Sequence, residues 1–287
     1  MNNKTWITIL GAFLFTFYSS LIFHPINNPK HPVTSQNSTI VSLPQNLPKK
    51  LHADNPVWTY CGVLRSVTNL GNILSDIESH MPSKHIYRSE DYVTWAHETS
   101  HGLASNLRIK FAGQPKYTSR INGFYVLNNK SVIINEPNTT IHAVARQVPM
   151  SLRGMSYDLY MVQQAASWND SPLYILDEWV AYANGSATRA DLKIINRTET
   201  VLQMLEFNVY VMTEAMIIRT TDSQFKNFVR WHLERTMRIY KDNQKLGSLN
   251  QCHVFWNKAC HNQDAANLRQ FVRDYYGKEW SSEILGF

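Results

Sequence analysis

Only one run of the 287-residue chain is long and apolar enough to matter to a bilayer, so a channel built from many membrane spans is excluded. No dense Lys/Arg tract and no aromatic-interleaved basic motif occurs. The net charge of +6 therefore reads as a mildly basic surface, and no nucleic-acid partner is expected. No internal repeat is visible. Only three cysteines are present, Cys61, Cys252 and Cys260, which allows one disulfide and one leftover thiol. With 44% hydrophobic and 17% charged residues the chain is neither disordered nor collagen-like, and its length suffices for a sizeable buried core.

The apolar run is Trp6 to Phe23, 18 residues without a charge. Signal peptides have shorter apolar regions and small residues at the cleavage site, whereas this run nearly spans a bilayer. Residues 1–23 are accordingly expected to be an uncleaved signal anchor, ahead of a cleaved signal peptide and of a buried core helix. Residues 24–56 hold six of the 11 prolines among many Asn, Ser and Gln, the composition of a linker. Together the two segments place the remaining domain, residues 57–287, outside the cytoplasm, either membrane-anchored or secreted. In an oxidising compartment Cys252 and Cys260 are expected to close a small disulfide loop. The alternative, a structural zinc site completed by His253 and His261, conflicts with an eight-residue cysteine spacing. Sequons at Asn37, Asn129, Asn138, Asn169, Asn184 and Asn196 arise readily by chance in an Asn-rich chain and decide nothing.

Periodicity organises the domain. Leu64, Val67, Leu70, Ile73, Leu74 and Ile77 keep helical spacing, which predicts a helix over 64–79 closed by Met81-Pro82. A second helix is predicted from Ser89 as N-cap to about Lys110. Its first turn holds Glu90 and Asp91 and its end Arg108 and Lys110, the charge order that a helix dipole favours. The runs 124–127 and 132–134, joined through 128–131, predict a β-hairpin. Such a hairpin either covers the core or offers an edge to an extended peptide. Ser171-Pro172 opens a third helix, predicted to end at Asn184-Gly185, and helical spacing returns over 200–240 and 264–287. The fold class read from this pattern is α+β, predominantly helical, with a small β element and a helical C-terminal part.

The second helix contains His97-Glu98-Thr99-Ser100-His101, a match to H-E-x-x-H. With 11 His and 11 Glu in the chain, chance gives roughly 0.02 such matches. Residues four apart sit one helical turn above each other, so both imidazoles point one way and can share a metal ion. Val93, His97, Ser100, Ala104 and Leu107 form the inward stripe, His101 lies at its edge and Glu98 further round. That puts the ligands against a core-lined cleft with a carboxylate beside them.

The run Thr94-Trp-Ala-His-Glu-Thr-Ser-His-Gly-Leu103 resembles the extended signature of the zincin metallopeptidases, with Thr at its start, uncharged residues between the ligands and a hydrophobic residue at its end. Residues 102–116 lack the further His of metzincins. Gluzincins instead take a Glu from a later helix, so the resemblance directs the search to an acid in an apolar helical setting, where a carboxylate needs a cation. Glu178, within Leu173-Tyr-Ile-Leu-Asp-Glu-Trp-Val-Ala-Tyr-Ala183, is the first candidate, with Asp177 and His142 behind it. Glu178-Trp-Val-Ala-Tyr182 is similar to the Glu-x-x-Ala-Tyr around the third ligand of some gluzincins, with Asp177 where those often carry Asn or Ser. The resemblance covers these two short segments. It implies a zincin-like catalytic core, one Zn²⁺ per chain held by His97, His101 and Glu178 with one open position, and a peptide or protein substrate. It implies Glu98 as the base for the attacking water and a further donor for the tetrahedral oxyanion. That donor stays open among Tyr157, Tyr160, Tyr182, Arg153 and His142, with Tyr157 and Tyr182 carried as candidate catalytic residues. Two rivals remain. One is a catalytically silent zincin-like binding or structural module, against which an intact Glu98 argues. The other is a metallohydrolase acting on non-peptide amides such as cell-wall material.

Overall fold

The computed structural model describes residues 55–287, except 63, 68, 83–86, 119, 220 and 221. The apolar run 6–23 and linker residues 24–54 lie outside the described residues. The elements in chain order are β1 (Thr59–Tyr60), α1 (Asn72–His80), α2 (Tyr92–Phe111), β2 (Ile121–Tyr125), β3 (Lys130–Asn135), α3 (Ile141–Gln147), α4 (Ala165–Trp168), α5 (Leu173–Asp191), α6 (Thr198–Ile218), α7 (Ser223–Gln244), α8 (Asn250–His261), α9 (Ala266–Tyr276) and α10 (Lys278–Trp280). Short 3-10 turns at Met150–Leu152 and Gln263–Ala265 and π-helical turns at Tyr157–Gln163 and Ser281–Leu285 join them. The chain is predominantly helical, with one small antiparallel sheet of order β1-β3-β2.

β2 and β3 form the predicted hairpin, in a register that pairs Ile121 with Asn135 and Tyr125 with Ser131. All five residues of β2 are buried, because the sheet separates two apolar clusters. Phe124, Val132 and Ile134 point into the larger one, built by α3 to α10. Ile121, Tyr125 and Ile133 point into a smaller one, with Leu74 and Ile77 of α1 and Trp95, Leu103 and Leu107 of α2. This is the period-2 alternation of a strand covered on both faces. Its other consequence is that α2 is fixed along one side against the sheet.

Several predicted boundaries shift, each for a physical reason. The first helix begins at Asn72, not Leu64, because Gly71 breaks the chain with φ 82 and the Asp191 carboxylate takes the amides of Asn72 and Ile73 at 2.6 and 3.0 Å. The cap of α2 is Asp91 and not Ser89: its side chain accepts from the Val93 and Thr94 amides at 3.1 and 3.4 Å. The third helix runs through Asn184-Gly185 to Asp191. Gly185 is there for close approach, since a Cβ on it would lie 3.2 Å from the Val93 carbonyl oxygen of α2. The 200–240 stretch is two helices, broken at Arg219 with φ 42 and restarted by an Asp222 cap. The expected Cys252–Cys260 disulfide does not form, and all three cysteines are free. Both residues lie on α8, where an eight-residue separation places their Cα atoms about 12 Å apart, beyond the roughly 7 Å that a disulfide spans.

Among the described residues α6 alone is long and apolar enough to cross a membrane, and it is mostly buried inside the protein as a core helix.

Candidate metal centre

α2 and α5 lie against each other, and the lack of a side chain at Gly185 permits the approach. From α2, His97 and His101 bring their Nε2 atoms to 3.1 Å of one another. From α5, Glu178 Oε2 stands 3.5 Å from His97 Nε2 and 3.6 Å from His101 Nε2. Zinc held tetrahedrally at 2.0–2.1 Å from N and O donors spreads them about 3.3–3.4 Å apart, so the three edges fit one face of such a site. These three residues also form the only group of His, Cys, Asp and Glu among the described residues whose donor atoms converge in this way. Glu178 is 2% exposed, and its Oε2 has no hydrogen-bond partner. A buried carboxylate oxygen that lacks a hydrogen bond and faces two imidazole nitrogens is a group that a cation would satisfy.

The charges in the cluster are strongly coupled. Burial opposes ionisation of Glu178, yet His101 and then His97 hold its carboxyl below the usual carboxylate range. Burial would likewise strip the proton from His101, but Asp177 and then Glu178 raise it well above the ordinary imidazole value. Asp177 Oδ2 lies 3.3 Å from His101 Nδ1, on the ring's far side from Nε2. That contact fixes ring orientation and leaves Nε2 facing His97 and Glu178, the arrangement that outer carboxylates give to the histidines of metal sites. Asp177 is thereby placed beside a ligand and not among the converging donors.

Glu98 is half-buried one residue past His97, and no described residue hydrogen-bonds its carboxylate. Burial and then the Glu98 charge push the Tyr87 hydroxyl above its ordinary value, which puts the two groups near each other. Two tyrosines flank Glu178 one turn away on α5. The Tyr182 ring lies edge-on to His97 with centroids 4.4 Å apart, and its hydroxyl meets that of Tyr160 at 2.6 Å. The Tyr174 hydroxyl donates to Gln164 Oε1 while its ring stacks on Trp168 at 5.1 Å. Burial, then the Glu178 charge, hold the proton on both Tyr160 and Tyr174.

The other candidates are occupied elsewhere. Tyr157 donates its hydroxyl to the Ala145 carbonyl at 2.9 Å. Arg153 is exposed, with Nε on the Val148 carbonyl and its guanidinium 4.8 Å over the Tyr157 ring. His142 is exposed on α3 and is not one of the converging donors. A groove of about 680 Å³ between α3, α6 and α9, lined by Arg146, Arg219 and Phe271 among others, contains none of the candidate site residues. Sequence reasoning misses Tyr174, although its position one turn before Glu178 on the same face is a readable signal.

Comparison with protein-family models, with curated proteins and with solved structures finds no match.

Proposed function

We propose that the chain is a zinc-dependent peptidase with a zincin-like core, in which His97, His101 and Glu178 hold one metal ion. One observation carries this reading: a buried, unbonded Glu178 Oε2 lies 3.5 and 3.6 Å from two imidazole nitrogens that are themselves 3.1 Å apart. Zinc bound by such a triad supplies Lewis acidity toward a water and a substrate carbonyl.

The protein's own side chains do the rest. The Glu98 carboxylate, next to the first ligand and without a hydrogen bond from any described residue, takes the proton of the attacking water and returns it to the departing amine. The Tyr182 hydroxyl, held beside His97, donates to the negative charge that develops on the carbonyl oxygen. Asp177 orients His101 through Nδ1. The substrate class is a peptide or protein, and the uncharged run 6–23 carries the domain outside the cytoplasm, tethered or secreted.

Elemental analysis tests the metal. About one zinc per chain is expected in wild type, with sharp loss in His97→Ala and in His101→Ala. Unchanged zinc content in both variants removes the assignment. Zinc without chelator-sensitive cleavage of a peptide library would move the reading to a silent binding module, and cleavage of cell-wall amides alone to a non-peptide hydrolase. Terminal sequencing of the native protein tests the tether: a mature chain that still contains 6–23 and fractionates with membranes is the expected result.

A further inference from the structure

The metal cluster leaves two features nearby without a purpose. Glu206 is a carboxylate 1% exposed within the most apolar helix, α6. The chain is π-helical over Tyr157–Gln163, closed by a bond of 2.9 Å from the Gln164 amide to the Leu159 carbonyl. π turns are rare and gather at functional sites.

The two features are joined. Glu206 Oε1 accepts the Met155 amide at 3.0 Å and Oε2 the Ser156 amide at 2.8 Å, so one carboxylate pins the two residues that lead into the turn. Gly154, just before them, is obligatory for this contact, because a Cβ there would overlap the Glu206 carboxylate. The turn then delivers the Tyr160 hydroxyl to 2.6 Å from the Tyr182 hydroxyl. Both rings also pack on Phe207, the residue after Glu206, with centroids 5.1 and 5.4 Å away. Tyr182 in turn lies against the metal ligand His97.

We propose that Glu206 and Tyr160 are positioning residues for the candidate site: Glu206 clamps the entry to the π turn, the turn seats the Tyr160 hydroxyl on that of Tyr182, and Tyr182 is thereby held in place beside His97 for the negative charge that develops on the substrate. The assignment rests on the peptidase reading above. It adds a chain of control that begins on α6, at a residue that touches neither metal nor substrate. A short hydroxyl–hydroxyl bond inside a buried aromatic group limits rotation of the phenol, which is the preorganisation that an oxyanion donor needs.

The test compares wild type, Tyr160→Phe, Glu206→Gln and the double variant as full, zinc-loaded chains. Zinc content should be unchanged in all four. The value of kcat should fall about 10- to 100-fold in each single variant while KM moves less than about threefold, the signature of an interaction realised in the transition state. Affinity for a peptide phosphonate, a stable tetrahedral anion, should fall by a similar factor, which gives a readout independent of turnover. Because both residues act through Tyr182, the double variant should lose no more than the worse single. Losses that multiply would mean two separate structural defects and would overturn the proposal. So would Tyr160→Phe with kcat and phosphonate affinity within about twofold of wild type. Should Glu206→Gln fail to fold, Tyr160→Phe, which keeps the ring and removes one oxygen, decides the proposal alone. Wild type that binds no zinc overturns both readings. Wild type that binds zinc and cleaves, with Tyr160→Phe unaffected, overturns only this one.

Discussion

The same two helices, α2 and α5, carry two buried polar clusters of opposite character. At one level stand His97, His101 and Glu178, with a buried carboxylate oxygen that faces two imidazoles and takes no hydrogen bond from the described residues. At the other stand Ser100 and Asn184. Asn184 donates to Ser100 Oγ at 2.8 Å and to the Tyr125 carbonyl at 3.2 Å, and accepts from Arg235 Nη2 at 2.6 Å. The Ser100 hydroxyl itself donates a hydrogen bond to the Ala96 carbonyl at 2.7 Å. Burying polar groups is costly unless they are paired. In the Asn184 cluster the chain supplies partners for both polar ends of the Asn184 side chain and for the Ser100 hydroxyl, leaving only Arg235 Nη1 without a hydrogen bond, and gains a lock between α2, α5, α7 and the sheet. In the Glu178 cluster the chain withholds one, and the deficit has the size and donor set of a metal ion. What sets the Glu178 cluster apart among the described residues is that its unbonded oxygen converges with two imidazole nitrogens on one point.

If that distinction holds, changes in the first cluster remove chemistry and leave the fold, and changes in the second do the reverse. The largest effect is expected for Glu98→Gln, which keeps size and polarity and removes the base. Hydrolysis should drop about 10² to 10⁴-fold, with zinc content and melting temperature unchanged. Loss of zinc or of folding in this variant would make Glu98 structural and dissolve the contrast. Next come the ligands. In Glu178→Ala zinc should cease to raise the melting temperature, whereas Asp177→Ala should weaken zinc affinity by about 10- to 100-fold, as expected for a residue that orients a ligand. Chelator competition that ranks the two the other way would transfer the ligand role to Asp177. On the structural side, Asn184→Ala strands Arg235, Ser100 and the Tyr125 carbonyl together and should cost about 3 kcal/mol by denaturant unfolding, with zinc stoichiometry intact.

The two clusters also differ in how far they could be read from sequence. His97 and His101 were legible because their relation is local: a four-residue spacing on a helix places both side chains on one face. Glu178 was legible because an acid in an apolar run demands a partner. The Asn184 cluster was not, since Asn184-Gly185 carries the standard mark of a helix end. Glycine serves both a left-handed cap and a close helix crossing, and only the position of Val93 on α2 shows which use applies. The start of α1 was hidden for a similar reason, because the apolar spacing from Leu64 continues past a break whose cap comes from Asp191, far along the chain. The Cys252 and Cys260 thiols fit the same pattern. Their spacing suggested a loop, whereas α8 is a helix that holds them apart, and burial pushes the two thiols up to about 12 and about 11.

The smallest expected effect is a pH signature in the metal-free protein. The Glu178 cluster is ionic, whereas the one titratable partner of Asn184 is Arg235, which burial lowers only to about 9. His101 is raised by Asp177 and Glu178 against the effect of burial, so its contribution to stability is complete below the unfolded imidazole value near 6.5 and is lost as pH rises through the folded value. Glu178 is depressed by His101 and His97 against burial, so its contribution is complete above the unfolded value near 4.3 and is lost as pH falls through the folded one. Both act in full only between about pH 5 and 6. The stability gap between metal-free wild type and metal-free His101→Phe, followed by denaturant midpoint, should therefore be widest there and narrow toward alkaline pH. The corresponding gap for Asn184→Ala should stay flat from about pH 5 to about pH 8, below the Arg235 value of about 9. Parallel curves for the two variants would mean that the Glu178 cluster is held together as the Asn184 cluster is, by contacts that do not titrate in this range, and that no place has been kept for a metal.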